Sequence, residues 1–230
     1  MHDILLKLSI MLVPALLAVT FHEVAHGYAA ERCGDPTARL LGRLTINPLR
    51  HLDPIGTLAL LLLGFGWARA VPVNPGNLRR SRQDMVLVAL AGPGANLALA
   101  ILFALVLRWG APLSGPFPDE GNALLIGEPL SLMAAFGLYI NVILALFNLL
   151  PIPPLDGGRV LLNVLPEATA TILRRVEPFG LILIVFLVFG TSLWQAVFAP
   201  LVFKVVAVLA GPSFEVVLRT VQLLFGGGSG

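Results

Sequence analysis

The stretch Phe21-His22-Glu23-Val24-Ala25-His26 closes an apolar run that begins at Ile4. A run of this length folds as a helix that crosses a membrane, because a helix satisfies its backbone polar groups from within. On that helix His22 and His26 are four residues apart and share a face. Two imidazoles on one face can grip a single zinc ion, and Glu23 beside them is placed to take a proton from a metal-bound water. A charged residue at the centre of a membrane helix costs roughly 2.5–3.5 kcal/mol on insertion scales. Three ionisable groups together therefore need a partner, and a metal would serve. H-E-x-x-H arises by chance on soluble surface helices, but the apolar surroundings largely remove that reading.

The rest of the composition agrees. Of 230 residues, 57% are hydrophobic and 12% charged, and the mean hydropathy is +0.89. These values describe a polytopic membrane protein and not a soluble domain with a large core. The net charge is only +2, and the arginines fall in loops beside apolar runs. The basic balance therefore speaks of membrane orientation and not of nucleic acid. A single cysteine, Cys33, excludes an internal disulfide. The terminal Gly226-Gly227-Gly228-Ser229-Gly230 reads as a flexible linker scar after a single domain over 1–225.

Hydropathy predicts an all-α fold of about four to six transmembrane helices with a re-entrant β-like loop. The first helix covers 4–31, with Pro14 inside it. Residues 39–46 carry alternating, β-compatible side chains. The run 54–68 is apolar but only 15 residues long and holds Gly56, Gly64 and Gly66, so it fits a re-entrant segment. Residues 69–75 follow as an extended stretch, because Pro72 and Pro75 disfavour helix before them. The runs 85–107, 129–155 and 178–203 read as spans, the last with a bend near Gly190. Asn96 within the first of these is expected to bond a neighbouring helix. Residues 205–225 fit either an interfacial amphipathic helix or a poor last span.

Charge sets the expected orientation. Eight arginines lie between Arg32 and Arg82, and Arg159, Arg174 and Arg175 follow Leu155, whereas Arg108 stands against Asp119, Glu120 and Glu128. The positive-inside rule places the first two regions in the cytoplasm and the third outside. The ends of the first helix and of 129–155 then reach the same leaflet, so that His22 and His26 can meet Asp156.

A catalytic zinc site takes three protein ligands and leaves a position open. The candidates for the third are Asp156, Asp53, His51 and Cys33. His51 and Asp53 sit in an arginine-rich, turn-rich loop where solvated or interfacial roles are ordinary. Cys33 reads as a small apolar residue. Asp156 follows a long uncharged span broken by Pro151, Pro153 and Pro154, and a carboxylate there wants a partner.

Phe21-His22-Glu23-x-x-His26 paired with Asn148-x-x-Pro151-x-x-Pro154-Leu155-Asp156-Gly157 resembles the site-2 protease family of intramembrane zinc metalloproteases. Gly34-Asp35-Pro36-Thr37-Ala38, Asn47-Pro48-Leu49, Pro72-Val73-Asn74-Pro75 and Gly92-Pro93-x-x-Asn96 add to the resemblance, which covers roughly residues 15–165. It implies one zinc per chain held by His22, His26 and Asp156, with Glu23 as catalytic base and Asn148 positioning the scissile peptide or its oxyanion. It implies single-span membrane proteins as substrates and a place in a bacterial or archaeal cell membrane, with the active site toward the cytoplasm. Gly64-x-Gly66 and the stretch after it match the family's re-entrant β-loop. There, Val71, Val73 and Asn74 would handle substrate by strand addition, or form only a proline-fixed linker. No segment is long enough for the PDZ or CBS domain that the family often carries.

Two rival classes stand beside this reading. A zinc transporter would need a second intramembrane cluster of His, Asp or Glu, and the other long spans lack ionisable residues. A catalytically silent scaffold would have little use for Glu23 between the two histidines.

Overall fold

A computed structural model describes residues 2–56, 58, 66–110 and 127–226. Helix α1, His2–Arg32, continues through Pro14, and it stops where its last turn meets Gly34. There Gly34 N–H donates to Glu31 O at 3.0 Å and Asp35 N–H to Ala30 O at 2.9 Å. Gly34 has φ +113°, a conformation that glycine adopts without a Cβ clash. Asp35, fully buried, then accepts from Thr37 N–H at 3.1 Å and from the Thr37 hydroxyl. These bonds start a short helix, α2, Thr37–Leu40. The expectation of β structure over 39–46 is therefore corrected: local Asp–Thr hydrogen bonding wins over the alternating pattern.

Helix α3, Ser81–Gly110, runs through Pro93, and α4 covers Gly127–Asn148. The proline-rich 149–155 turn leads into α5, Asp156–Val164, then α6, Glu167–Val176, and α7, Gly180–Phe189. A π-helical turn, Trp194–Phe198, precedes α8, Ala199–Ala210, and α9, Phe214–Phe225. The single span expected over 178–203 is thus two pieces, parted after Gly190, where the sequence offers Gly190-Thr191-Ser192 and no apolar side chain to carry the helix on. Residues 205–225 instead join Trp194–Phe225, which is long and apolar enough to span, although Gly211 (φ +56°) interrupts it between α8 and α9.

Among the described residues, four helical stretches are long and apolar enough to cross a membrane: Leu5–Arg32, Ser81–Trp109, Pro129–Asn148 and Trp194–Phe225. Large apolar side chains such as Leu12, Leu87 and Leu102 stand exposed on them, as a lipid-facing surface requires. The protein is an all-α polytopic membrane protein. Among the described residues no strand forms. Among the described residues of the predicted re-entrant loop and its flanks, one isolated antiparallel bridge, Leu52 to Ala68, is present. Most of 54–68, Gly64 included, lies outside the described residues, as does most of the 109–128 loop.

The described residues fall into two compact units. One, within Met1–Ala18, Leu97–Ile143 and Gln195–Gly230, has a core of Ile10, Phe136 and Leu224. In it the Arg108 guanidinium donates to Ala210 O and Val208 O, each at 3.2 Å, at the end of α8, where a cation offsets unpaired carbonyls. The other, within Val19–Asn96 and Leu144–Trp194, holds every ionisable residue singled out as a metal ligand or base.

Candidate metal centre

His22, Glu23 and His26 lie in the second half of α1, and all three are buried. A stripe of α3 faces them. Val88, Gly92 and Asn96 recur every four residues and so share one face. His22 Nδ1 donates to Asn96 Oδ1 at 2.6 Å, and His26 Nδ1 donates to Val88 O at 2.7 Å. A carbonyl has a second lone pair, so Val88 O can accept this bond without leaving its own helix. Gly92 makes the approach possible: a Cβ there would meet His26 Nε2 and would sit 2.6 Å from His22 Cε1.

With both Nδ1 atoms donating, each neutral imidazole presents a lone pair at Nε2. These two nitrogens are 3.0 Å apart. Asp156 Oδ2 lies 3.2 Å from the first and 3.3 Å from the second. Oδ2 is buried and has no hydrogen-bond partner among the described residues. Three acceptors crowded together in a buried place repel one another until a proton or a cation sits among them. Burial pushes the Asp156 carboxyl up, and the facing imidazoles, once charged, pull it well below the usual carboxylate range.

The spacing fits zinc. Ligand atoms about 2.0–2.1 Å from a tetrahedral zinc lie about 3.3 Å from one another. Two imidazoles and one carboxylate also form a donor set of the catalytic kind, with one position left over. Among the described residues, His22, His26 and Asp156 are the group of three whose donor atoms converge, all within 4.8 Å.

Asp156 is held by the turn before it. It opens α5, and the carbonyls of Leu149 and Leu150 occupy the place where a Cβ on Gly157 would go. A larger residue at 157 would push α5 off the turn and move the carboxylate.

Glu23 is placed differently. Its Oε2 accepts from Val71 N–H at 2.7 Å, which leaves Oε1 for another donor. The segment that supplies this bond is pinned along its length. Arg69 N–H donates to His51 O at 2.8 Å, Arg43 donates to Arg69 O at 2.6 Å, and Asn74 N–H donates to Asp35 Oδ2 at 2.7 Å. The Asn77 amide also donates to Asp35, at 2.8 Å. Burial pushes the Asp35 carboxyl up, but bonds from Thr37, Asn77 and Asn74 outweigh it and hold it below its ordinary value.

The remaining predicted residues divide. Asn148 is the last residue of α4, and its Nδ2 donates to Leu144 O at 2.9 Å. Gly66 and Asn74 are exposed, Val73 is half-buried and Val71 is buried. His51 is not solvated as expected. It is fully buried and donates from Nε2 to Thr45 O at 2.8 Å, and its loop position is structural. Asp53 accepts from Gly56 N–H at 2.8 Å. Cys33 is half-buried, outside the converging group.

The orienting role of Asn96 and of Val88 O goes beyond the sequence reading, which gave Asn96 only a helix partner. The recurrence of 88, 92 and 96 was the available signal. Asn96→Leu should remove the bond that fixes the His22 tautomer. Loss of such an orienting partner typically weakens metal affinity about 10–100-fold, and competition with a chelator of known affinity would measure it.

The sequence model of peptidase family M50 matches residues 110–191, which include the Asp156 motif. A Bacillus subtilis (strain 168) protein named "Putative zinc metalloprotease YwhC" is 41% identical over 196 residues, 83% of this chain and 84% of that protein. Two of the proteins named "Putative zinc metalloprotease Rip2" are each 32% identical over 77% of this chain and 66% of their own length. One is from Mycolicibacterium smegmatis and the other from Mycobacterium tuberculosis (strain ATCC 25618 / H37Rv). No solved structure matches the chain. The similarity to YwhC over most of both chains, together with the M50 match, shows that this chain belongs to peptidase family M50, the site-2 proteases.

Proposed function

We propose that this protein is an intramembrane zinc endopeptidase that hydrolyses peptide bonds of single-span membrane proteins. The observation that carries the reading is the convergence of His22 Nε2, His26 Nε2 and Asp156 Oδ2, next to a carboxylate that is not part of the cluster. One zinc per chain would be held by those three residues. When bound, it supplies a Lewis acid that acidifies water and polarises a carbonyl.

The chain's own groups supply the rest. The Val71 N–H holds Glu23 Oε2, so Oε1 is the basic oxygen. It takes a proton as the water oxygen bonds to the scissile carbon, and it returns that proton to the leaving amine nitrogen as the C–N bond breaks. Asn148 uses one amide hydrogen on Leu144 O, and an amide has a second to offer a developing oxyanion.

A substrate helix must unwind before its carbonyls can react. The stretch expected to be extended over 69–75 stops at Asn74, because Pro75–Asn77 form a 3-10 turn, and the segment 70–74 suits the capture of such a peptide. Among the described residues, Val73 N–H and the carbonyls of Val71 and Val73, which in an extended chain point to one side, have no hydrogen-bond partner. These groups form a free edge to which an extended chain can add. A cytoplasmic placing of this edge belongs to the same reading and rests on the flanking arginines.

The test is co-expression with a panel of tagged single-span proteins, wild type against Glu23→Gln. Shortened products that appear only with the wild type are expected. Identical products with both forms would remove Glu23 from the chemistry.

A further inference from the structure

Beside the 70–74 edge lies a cavity of about 600 Å³. Val71 and Val73 line it together with Arg82, Arg159, Arg174 and Glu177. Two of the three guanidiniums are already engaged. Arg174 Nη1 lies 2.6 Å from Glu167 Oε1. Arg82 donates to Asn163 O at 3.2 Å and to Leu165 O, and its Nη1 lies 3.9 Å from Glu167 Oε2. Arg159 differs. It is half-buried, and among the described residues its guanidinium has neither hydrogen-bond nor ion-pair partner. A half-buried planar cation with all five donors unused is matched in shape to a carboxylate.

Its place in the fold is specific. Arg159 follows Asp156 by three residues on α5, so the two lie on neighbouring positions of one helix face, about 4.5 Å apart along the axis. An extended peptide advances about 3.3 Å per residue. A chain lying on the 71–73 edge with its scissile bond at the metal centre would therefore bring a side chain within about three residues of that bond to Arg159.

We infer that Arg159 is a specificity-determining residue, which binds the carboxylate of an acidic side chain close to the cleaved bond. This rests on the reading of 71–73 as the peptide-binding edge. Val71 and Val73 of that edge line the same cavity, which favours a peptide over a lipid headgroup as the source of the anion.

The test is binding to the zinc-loaded Glu23→Gln protein in phosphatidylcholine vesicles. The probes are fluorescent Ala/Val octapeptides with one Asp, Asn or Lys at a scanned position. At one position the Asp peptide should bind about tenfold more tightly than its Asn twin, as one well-made charged contact allows. Adding Arg159→Gln should bring that ratio to about one, and Arg159→Glu should turn the preference toward the Lys peptide. Equal binding of the three peptides at every position, or a preference that survives Arg159→Gln, would overturn the inference. So would an Arg159-dependent response to added phosphatidylglycerol without any response to peptide charge.

Val73→Pro separates the two readings, because it removes the free N–H of the edge. Weaker binding of all peptides with the Asp preference intact supports both. Unchanged affinity with the preference intact overturns the edge and leaves Arg159 standing. Weaker binding of all peptides that never distinguish charge overturns Arg159 alone.

Discussion

Glu23→Gln is expected to leave zinc in place and to lower cleavage about 10²–10⁴-fold, the usual worth of general-base action. Gln keeps the size of Glu and can still accept the Val71 N–H through its amide oxygen. The three converging donors are untouched, so the metal content should stay at one per chain. Substrate should still bind, and the variant should trap it. Single-turnover cleavage and metal analysis of the same preparation check both halves. Loss of zinc from Glu23→Gln would make Glu23 a ligand and not a base.

The second large effect is expected at the ligands themselves. His26→Ala removes one of three donors and leaves His22 Nε2 and Asp156 Oδ2 facing a gap. The loss of zinc affinity should exceed the roughly 10–100-fold that follows loss of an orienting partner, and cleavage should fall with it. Asp156→Asn should be intermediate. The amide keeps an oxygen at the position of Oδ2 but loses the charge, so zinc should be retained weakly. Metal content after gel filtration in a mild chelator should rank wild type first, then Asp156→Asn, then His26→Ala. Full zinc in His26→Ala would place the metal elsewhere.

Much of this centre is legible in the sequence because its parts announce themselves locally. His22, Glu23 and His26 follow an uncharged run, Leu8–Phe21, on one helix. Asp156 follows a span that prolines bring to an end. Both signals depend on the cost of polar groups in an apolar setting, which composition alone exposes. Asn96 was visible as a polar residue in a span, but its partner was not, because the His22 bond joins residues 74 apart in sequence. His51 misled for the same reason. Its loop is rich in arginine and turns, yet the ring is buried and bonded to Thr45 O, and its carbonyl accepts from Arg69 N–H, 18 residues on.

Hydropathy also sees windows and not breaks. Residues 178–203 average as one apolar run, yet the helix stops at Phe189 and restarts at Trp194. Residues 39–46 alternate as a strand would, yet Asp35 and Thr37 turn their start into a helix. Asp35 shows how far such a residue reaches: it closes α1, starts α2 and holds Asn74 and Asn77. Asp35→Ala would leave four donors without their acceptor. Each such loss costs roughly 1–3 kcal/mol when the donor stays buried, and less for Asn74 and Asn77, which are exposed.

The most direct measurement is cleavage of a single-span reporter by protein reconstituted in liposomes, first stripped of metal and then titrated with zinc. Cleavage should be absent from the stripped protein and should return in full at one zinc per chain, in the wild type and not in His26→Ala. Cleavage that continues in metal-free protein, or that zinc restores equally in His26→Ala, would contradict a peptidase built on His22, His26 and Asp156.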